Sequence, residues 1–132
     1  AYAHMSWKSI CKYLHSKVAF EVTKIANCKF DDLIIVLGPS IKAESYCFTN
    51  PAQLEMPEWA NYVKKNSNEM FCIDLVKFIV DDLLKLGIKP SNVYCSDIDT
   101  GVDMRYFSHF RAVNNFDPSD SEGRFIVAAG IK

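Results

Sequence analysis

The side chains in this 132-residue chain equipped to bind a metal, hold an anion or form covalent bonds are three histidines, a few cations and five cysteines. His4 lies just ahead of the first apolar-periodic segment; by itself, a histidine there reads as a surface residue. His15 follows Leu14 among lysines and reads as a surface residue too. His109 stands in Tyr106-Phe107-Ser108-His109-Phe110-Arg111. Strand alternation would send Phe107 and His109 to one face and Ser108 and Phe110 to the other. That placement suits a hydrogen-bonded structural histidine. Arg105, Arg111 and Arg124 cluster toward one end of the sequence, with Lys8 at the other. Gathered in space, they would hold phosphate, because the guanidinium fork matches a tetrahedral oxyanion. Taken singly, each reads as a surface cation.

The cysteines (Cys11, Cys28, Cys47, Cys72, Cys95) are odd in number, widely spread and never in a close pair. A disulfide framework favours an even set and a structural zinc site favours close pairs, so reduced thiols packed as small hydrophobes are expected. The serine-hydrolase elbow, the phosphate loop, the HExxH zinc motif and the dinucleotide fingerprint are all missing.

These residues need elements to position them. Ser6 can cap a helix, and Ile10, Leu14, Val18, Val22 and Ile25 form one apolar stripe to about Ala26. Leu33-Ile34-Ile35-Val36-Leu37, ended by Gly38-Pro39, reads as a strand buried on both faces. Pro57-Glu58-Trp59 starts a short helix, and residues 62–69 look solvated. Asp74 caps a helix with Leu75, Ile79, Leu83 and Leu86 on its inner face, stopped by Gly87 and Pro90. Val93-Tyr94-Cys95 reads as a strand and Phe125–Ala129 as a last one, after a polar turn region over residues 114–123. Helix and strand alternate, which predicts an α/β fold with helices covering a mixed sheet.

Composition bounds the partners. Hydrophobic residues are 49% and charged residues 23% of the chain, as in an ordinary globular domain. A net charge of -1 argues against nucleic acid or an anionic membrane as the main partner. No run of 18 apolar residues and no secretory leader is present, so a cytoplasmic protein is expected.

Four segments, in order, resemble the YfiH/YlmD laccase-domain family. Ala3-His4-Met5-Ser6-Trp7-Lys8-Ser9 is similar to the family's HAGWRG signature. Leu37-Gly38-Pro39-Ser40-Ile41 with Tyr46 resembles its GPSIG…Y loop. Asp74-Leu75 with Leu84-Lys85-Leu86-Gly87-Ile88 looks like its "DL…QL…GI" helix. Tyr106–Arg111 followed by Gly123-Arg124 resembles its closing "FFSYRR…GR".

The resemblance implies the family's layered α/β sandwich. It also implies that residues 1–132, which open without an initiator methionine, are a single domain forming the C-terminal part of a longer protein. The implied activity is phosphorolysis of purine nucleosides, with adenosine deamination as a related activity and a copper-dependent polyphenol oxidase ranked last. The family's zinc (copper in older descriptions) is held by two histidines and a cysteine. His4 matches one of those histidines, and the other two ligands lie upstream of the signature. Lys8, Arg111 and Arg124 match family arginines and become the candidates for phosphate or substrate contact.

The departures are specific. Met5-Ser6 stands where the family has Ala-Gly, Lys8 replaces an arginine, and Asp99-Thr100 replaces Cys-Thr. SYRR becomes Ser108-His109-Phe110-Arg111. They imply a divergent member, with an inactive or binding-only relative as the alternative.

Overall fold

Ser6 opens the first helix through a reciprocal cap. Its hydroxyl accepts from the Ser9 amide at 3.3 Å, and Ser9 Oγ accepts from the Ser6 amide at 2.9 Å. In the computed structural model, which describes residues 1–114, this helix (α1) spans only Trp7–Ile10. The single helix expected as far as Ala26 is two. Tyr13 takes the left-handed conformation (φ 56°, ψ 39°), and α2 runs Leu14–Ala26. A bulky residue is costly there. Ring contacts with Phe78 and His15, at 5.9 and 6.0 Å, compensate.

The break turns a different face inward. His15, Ser16 and Ala19 are buried, whereas Ile25, on the expected stripe, is 84% exposed. His15 is thus a core residue, contrary to its surface reading.

Asp74 caps α3 (Leu75–Lys85) as expected, accepting from the Lys77 amide at 2.8 Å. Gly87 follows with φ 98°, a backbone conformation that suits glycine. Phe78, Ile79 and Leu83 are the buried residues of α3, and Leu75 and Leu86 pack against the core beside them. Phe78 stacks flat on Trp59, with centroids 4.0 Å apart. Trp59 ends the short 3-10 turn Pro57–Trp59 and is fully buried.

The class is α/β as expected, with parallel and antiparallel pairing, and among the described residues the strands form two small sheets. The first pairs β1 (Ile35–Leu37) with a later strand, Val93–Cys95, in parallel register. The second is antiparallel and comprises β2 (Cys47–Phe48), β3 (Val63–Lys65) and β4 (Phe71–Ile73), in the order β2-β4-β3; Val93–Cys95 is then β5. No strand was expected at Cys47–Phe48 or Phe71–Ile73, and β3 falls inside the stretch read as solvated.

β1 also departs from its reading. Leu33 is buried and Ile35 and Leu37 pack inward, while Ile34 and Val36 are 69% and 72% exposed. Among the described residues the segment buries one face, not two.

Residues His109–Asn114 form α4 rather than a strand. Ser108 Oγ accepts from the Arg111 amide at 3.3 Å, a side-chain-to-backbone bond that favours a helical start over a strand. The expected strand at Phe125–Ala129, with Gly123 and Arg124, lies outside the described residues. No helix among the described residues is long and apolar enough to cross a membrane.

Candidate functional site

The loop after β1 and the loop after β5 are built on each other. Parallel pairing continues past the strands: the Ser40 amide donates to Ile98 O at 3.4 Å and the Thr100 amide to Ser40 O at 3.1 Å. Asp99 is the hub. Its carboxylate accepts from Ser45 Oγ at 2.5 Å, the Gly101 amide at 2.7 Å and the Lys42 amide at 3.1 Å. Burial pushes this carboxyl up. The hydrogen bonds from Ser45, Gly101 and Lys42 outweigh that and hold it below its ordinary range. Lys42 Nζ spans the gap to Ser96 O at 2.5 Å. Gly101 sits so close that a Cβ built on it would lie 2.4 Å from Ser45 Cβ. The Ser40 hydroxyl is buried beside this junction with no hydrogen-bond partner among the described residues.

Arg111 joins the same junction from α4. It is 6% exposed, and its guanidinium donates to Thr100 O at 2.7 Å and Tyr106 O at 3.0 Å. Both acceptors are carbonyls of the segment linking β5 to α4, so the positive charge is held against that segment. Within the same segment, Arg105 forks onto Asp103, whose carboxyl is drawn down to about 2. Phe110, one of the departures from the family pattern, packs on Tyr46 and Phe48 at 5.0 and 5.3 Å. An aromatic triad thus ties α4 to the loop after β1 and to β2. Burial pushes the Tyr46 phenol up to about 12, so it stays protonated.

The other named residues lie elsewhere. His4 and Lys8 are exposed at the start of the chain, and Lys8 Nζ stands 5.7 Å over its neighbour's ring, Trp7. Arg124 lies outside the described residues. His109 is exposed in the first turn of α4. The structure therefore assembles Arg111 with Asp99, Ser45 and Lys42. Sequence reasoning picked out Arg111 and noticed Asp99 only as a departure. Ser45 and Lys42 carried no signal, because their role comes from the loop's path and not from a motif.

Over residues 1–132 the chain matches the multi-copper polyphenol oxidoreductase laccase family. The chain belongs to that family. Its relatives include a purine nucleoside phosphorylase of Staphylococcus aureus strain COL and the Staphylococcus aureus purine nucleoside phosphorylase YlmD. Each is 26% identical over 115 residues, covering 84% of this chain and 42% of the relative. The laccase-family chain thus spans less than half the length of the relatives it matches. No solved structure matches it.

The metal implied by this family has a simple test in the donors present. His4 offers one exposed imidazole, and among the described residues no three His, Cys, Asp or Glu side chains group to hold an ion. A single ligand does not hold a divalent cation. The described residues alone do not fit zinc or copper.

Proposed function

We propose that this chain is the C-terminal part of a metal-dependent purine nucleoside phosphorylase. The observation that carries the reading is the match, over 84% of the chain, to relatives bearing that name. In phosphorolysis a phosphate oxygen bonds to the anomeric carbon of the sugar as the glycosidic bond breaks. The purine leaves with the bonding electron pair and takes up a proton. The products are free base and ribose 1-phosphate.

The reaction needs fixed cations for phosphate and for the departing charge. Lys8 and Arg124 take the phosphate role in this reading. Arg111 acts from behind, because its guanidinium donates to two carbonyls and fixes the Thr100–Tyr106 segment. His4 contributes one imidazole to a zinc site (copper in the alternative), whose other ligands belong to preceding chain. A laccase-type oxidation of phenols needs several copper centres, and the described residues group no set of ligands for one.

A second reading is favoured by Asp99. Where the family has cysteine, this chain has a carboxylate engaged by three hydrogen-bond donors. That suits a relative that keeps the fold and binds without turnover.

One experiment separates the two. The full-length, metal-loaded gene product is incubated with inosine or adenosine and phosphate, and free base and ribose 1-phosphate are quantified. Phosphate-dependent base release is expected; none at all supports the binding-only relative. In the same preparation His4→Ala should lower zinc per chain, and unchanged zinc removes His4 from the site.

A further inference from the structure

Cys47 and Cys72 face each other across β2 and β4 and are joined as a disulfide. This overturns the expectation of reduced thiols for two of the five cysteines. Three features of their surroundings are unusual for a purely structural bridge. First, Cys72 lines a cavity of about 390 Å³ whose wall also carries Lys64, Lys65, Lys77, Glu44 and Asn66. A volume in this range suits a small ligand. Second, the Asn66 side-chain amide points at the bridge, 3.4 Å from Cys72 Sγ and 3.9 Å from Cys47 Sγ. Third, Cys47 Sγ lies 3.4 Å from the carbonyl oxygens of both Ala43 and Glu44, so acceptors for a thiol hydrogen are already in place.

We propose that Cys47–Cys72 is a reversible thiol–disulfide centre, exchanged by a small zwitterionic peptide thiol that binds in this cavity. The wall carries both signs: Lys64, Lys65 and Lys77 face the thiol's carboxylates and Glu44 its ammonium group. Lys65 and Lys77 also pair with Glu69 and Asp81, and Asp74 on the wall caps α3, which leaves Lys64 as the main carboxylate contact.

The thiolate of the bound thiol attacks Cys72 Sγ, the sulfur on the cavity wall. The Cys47–Cys72 bond breaks, and Cys47 leaves as a thiolate, takes a proton and donates it toward Ala43 O or Glu44 O. A second molecule of the same thiol attacks the small-thiol sulfur of the mixed disulfide. Cys72 departs as a thiolate beside the Asn66 amide. Two small thiols become one small disulfide, and the protein gains two thiols. Thiolate stabilisation by nearby donors and cations is what makes such exchange site-selective.

The centre is also coupled to the candidate site. β2 directly follows the loop whose Lys42 and Ser45 hold Asp99, and the Ile73 amide donates to Tyr46 O at 3.0 Å. Reduction removes the covalent tie between that loop's exit and β4.

The test uses the full-length gene product in buffers of reduced and oxidised glutathione, with acid quench, alkylation and peptide mass mapping. Cys47 and Cys72 should gain alkyl label together as the buffer is made more reducing. In Cys47→Ser, oxidised glutathione should form an adduct on Cys72; in Cys72→Ser, Cys47 should stay unmodified over the same time. Lys64→Glu should slow reduction by glutathione about fivefold, one screened charge contact, while leaving reduction by neutral 2-mercaptoethanol unchanged. A bridge that stays oxidised at every glutathione ratio overturns the proposal. So does an adduct on Cys47 in preference to Cys72, or equal slowing of both reductants by Lys64→Glu.

Discussion

Replacing Gly101 by alanine puts the junction of the two loops under direct test. Gly101 is not in the left-handed region, so no backbone strain enters and the cost is steric. The added Cβ would meet Ser45 Cβ at 2.4 Å, Ser45 Oγ at 2.8 Å and Asp99 Oδ1 at 2.9 Å. Ser45 and Asp99 must therefore separate, or the segment after β5 must lift away. Overpacking of this kind costs about 1–3 kcal/mol. A hydrogen bond to a charged acceptor contributes about 1.5–3 kcal/mol when buried, and Asp99 is only part-buried, so about 1 kcal/mol is a fair share for a weakened Ser45–Asp99 bond. The sum, about 2–4 kcal/mol, lowers the melting temperature by about 6–15 °C for a chain of this size. Thermal melts followed by circular dichroism measure it. Gly38→Ala is the control, since nothing lies within 4 Å of its added Cβ and its φ is ordinary; it should move the melt by no more than about 2 °C. In Ser45→Gly/Gly101→Ala the two serine contacts are gone and the 2.9 Å approach to Asp99 Oδ1 remains, so a double-mutant cycle should recover at least about 1 kcal/mol. The reasoning fails if Gly101→Ala melts like Gly38→Ala, or if the cycle shows no coupling.

Two further perturbations follow from the core. Burial holds the His15 imidazole below its ordinary pKa, against the opposing pull of Asp82. The folded state then binds fewer protons than the unfolded one between the depressed value and about 6.5, so stability should fall as pH drops through that window and be complete above it. Urea midpoints measured from pH 7.5 down to 5.5 should decline for the wild type and decline less for His15→Gln; parallel curves would remove His15 as the cause. Asp74→Ala leaves the Lys77 amide without its 2.8 Å acceptor and should cost about 1 kcal/mol, read as a lower urea midpoint at unchanged slope.

What the sequence made legible was local and strongly patterned. The helix at Leu75–Lys85 was readable because a capping aspartate, a helical apolar stripe and a terminal glycine agree between Asp74 and Gly87. Val93–Cys95 was readable as a strand because a β-branched and an aromatic residue follow Pro90 closely. What failed depended on long-range context. Nothing local marks Tyr13 as left-handed; its conformation rests on rings of α2 and α3. His15 looked like a surface residue because its partner, Asp82, is 67 residues away in the chain. The antiparallel sheet was invisible because its strands are two or three residues long, too short for alternation to register. The Cys47–Cys72 bridge was hidden with it, since only the β2–β4 register sets those sulfurs opposite each other. At the candidate site, Arg111 was found by motif, while its role as a clamp on Thr100 and Tyr106 carbonyls belongs to the fold alone.

The departures from the family pattern divide by what surrounds them. Phe110 gives up an arginine's charge but packs against Tyr46 and Phe48. Asp99 gives up a thiol but gains three donors, from Ser45, Lys42 and Gly101. Each altered side chain has packing or donors matched to it, and both bind the loop after β1 to the segment that leads into α4. Drift in an abandoned site would leave such side chains unsatisfied or exposed, because nothing would maintain their partners. Met5 also packs against the core, whereas Lys8 points outward with only its neighbour's ring beneath it. The frame that carries Arg111 is therefore held by matched partners, whereas among the described residues Lys8 has only the cation–π contact with Trp7. A Lys8→Arg variant restores the bidentate donor of the family signature and touches no buried contact. If Lys8 meets phosphate, that variant should lower the KM for phosphate in the full-length enzyme and leave the melting temperature unchanged. A phosphate KM that does not move would take Lys8 out of the anion site.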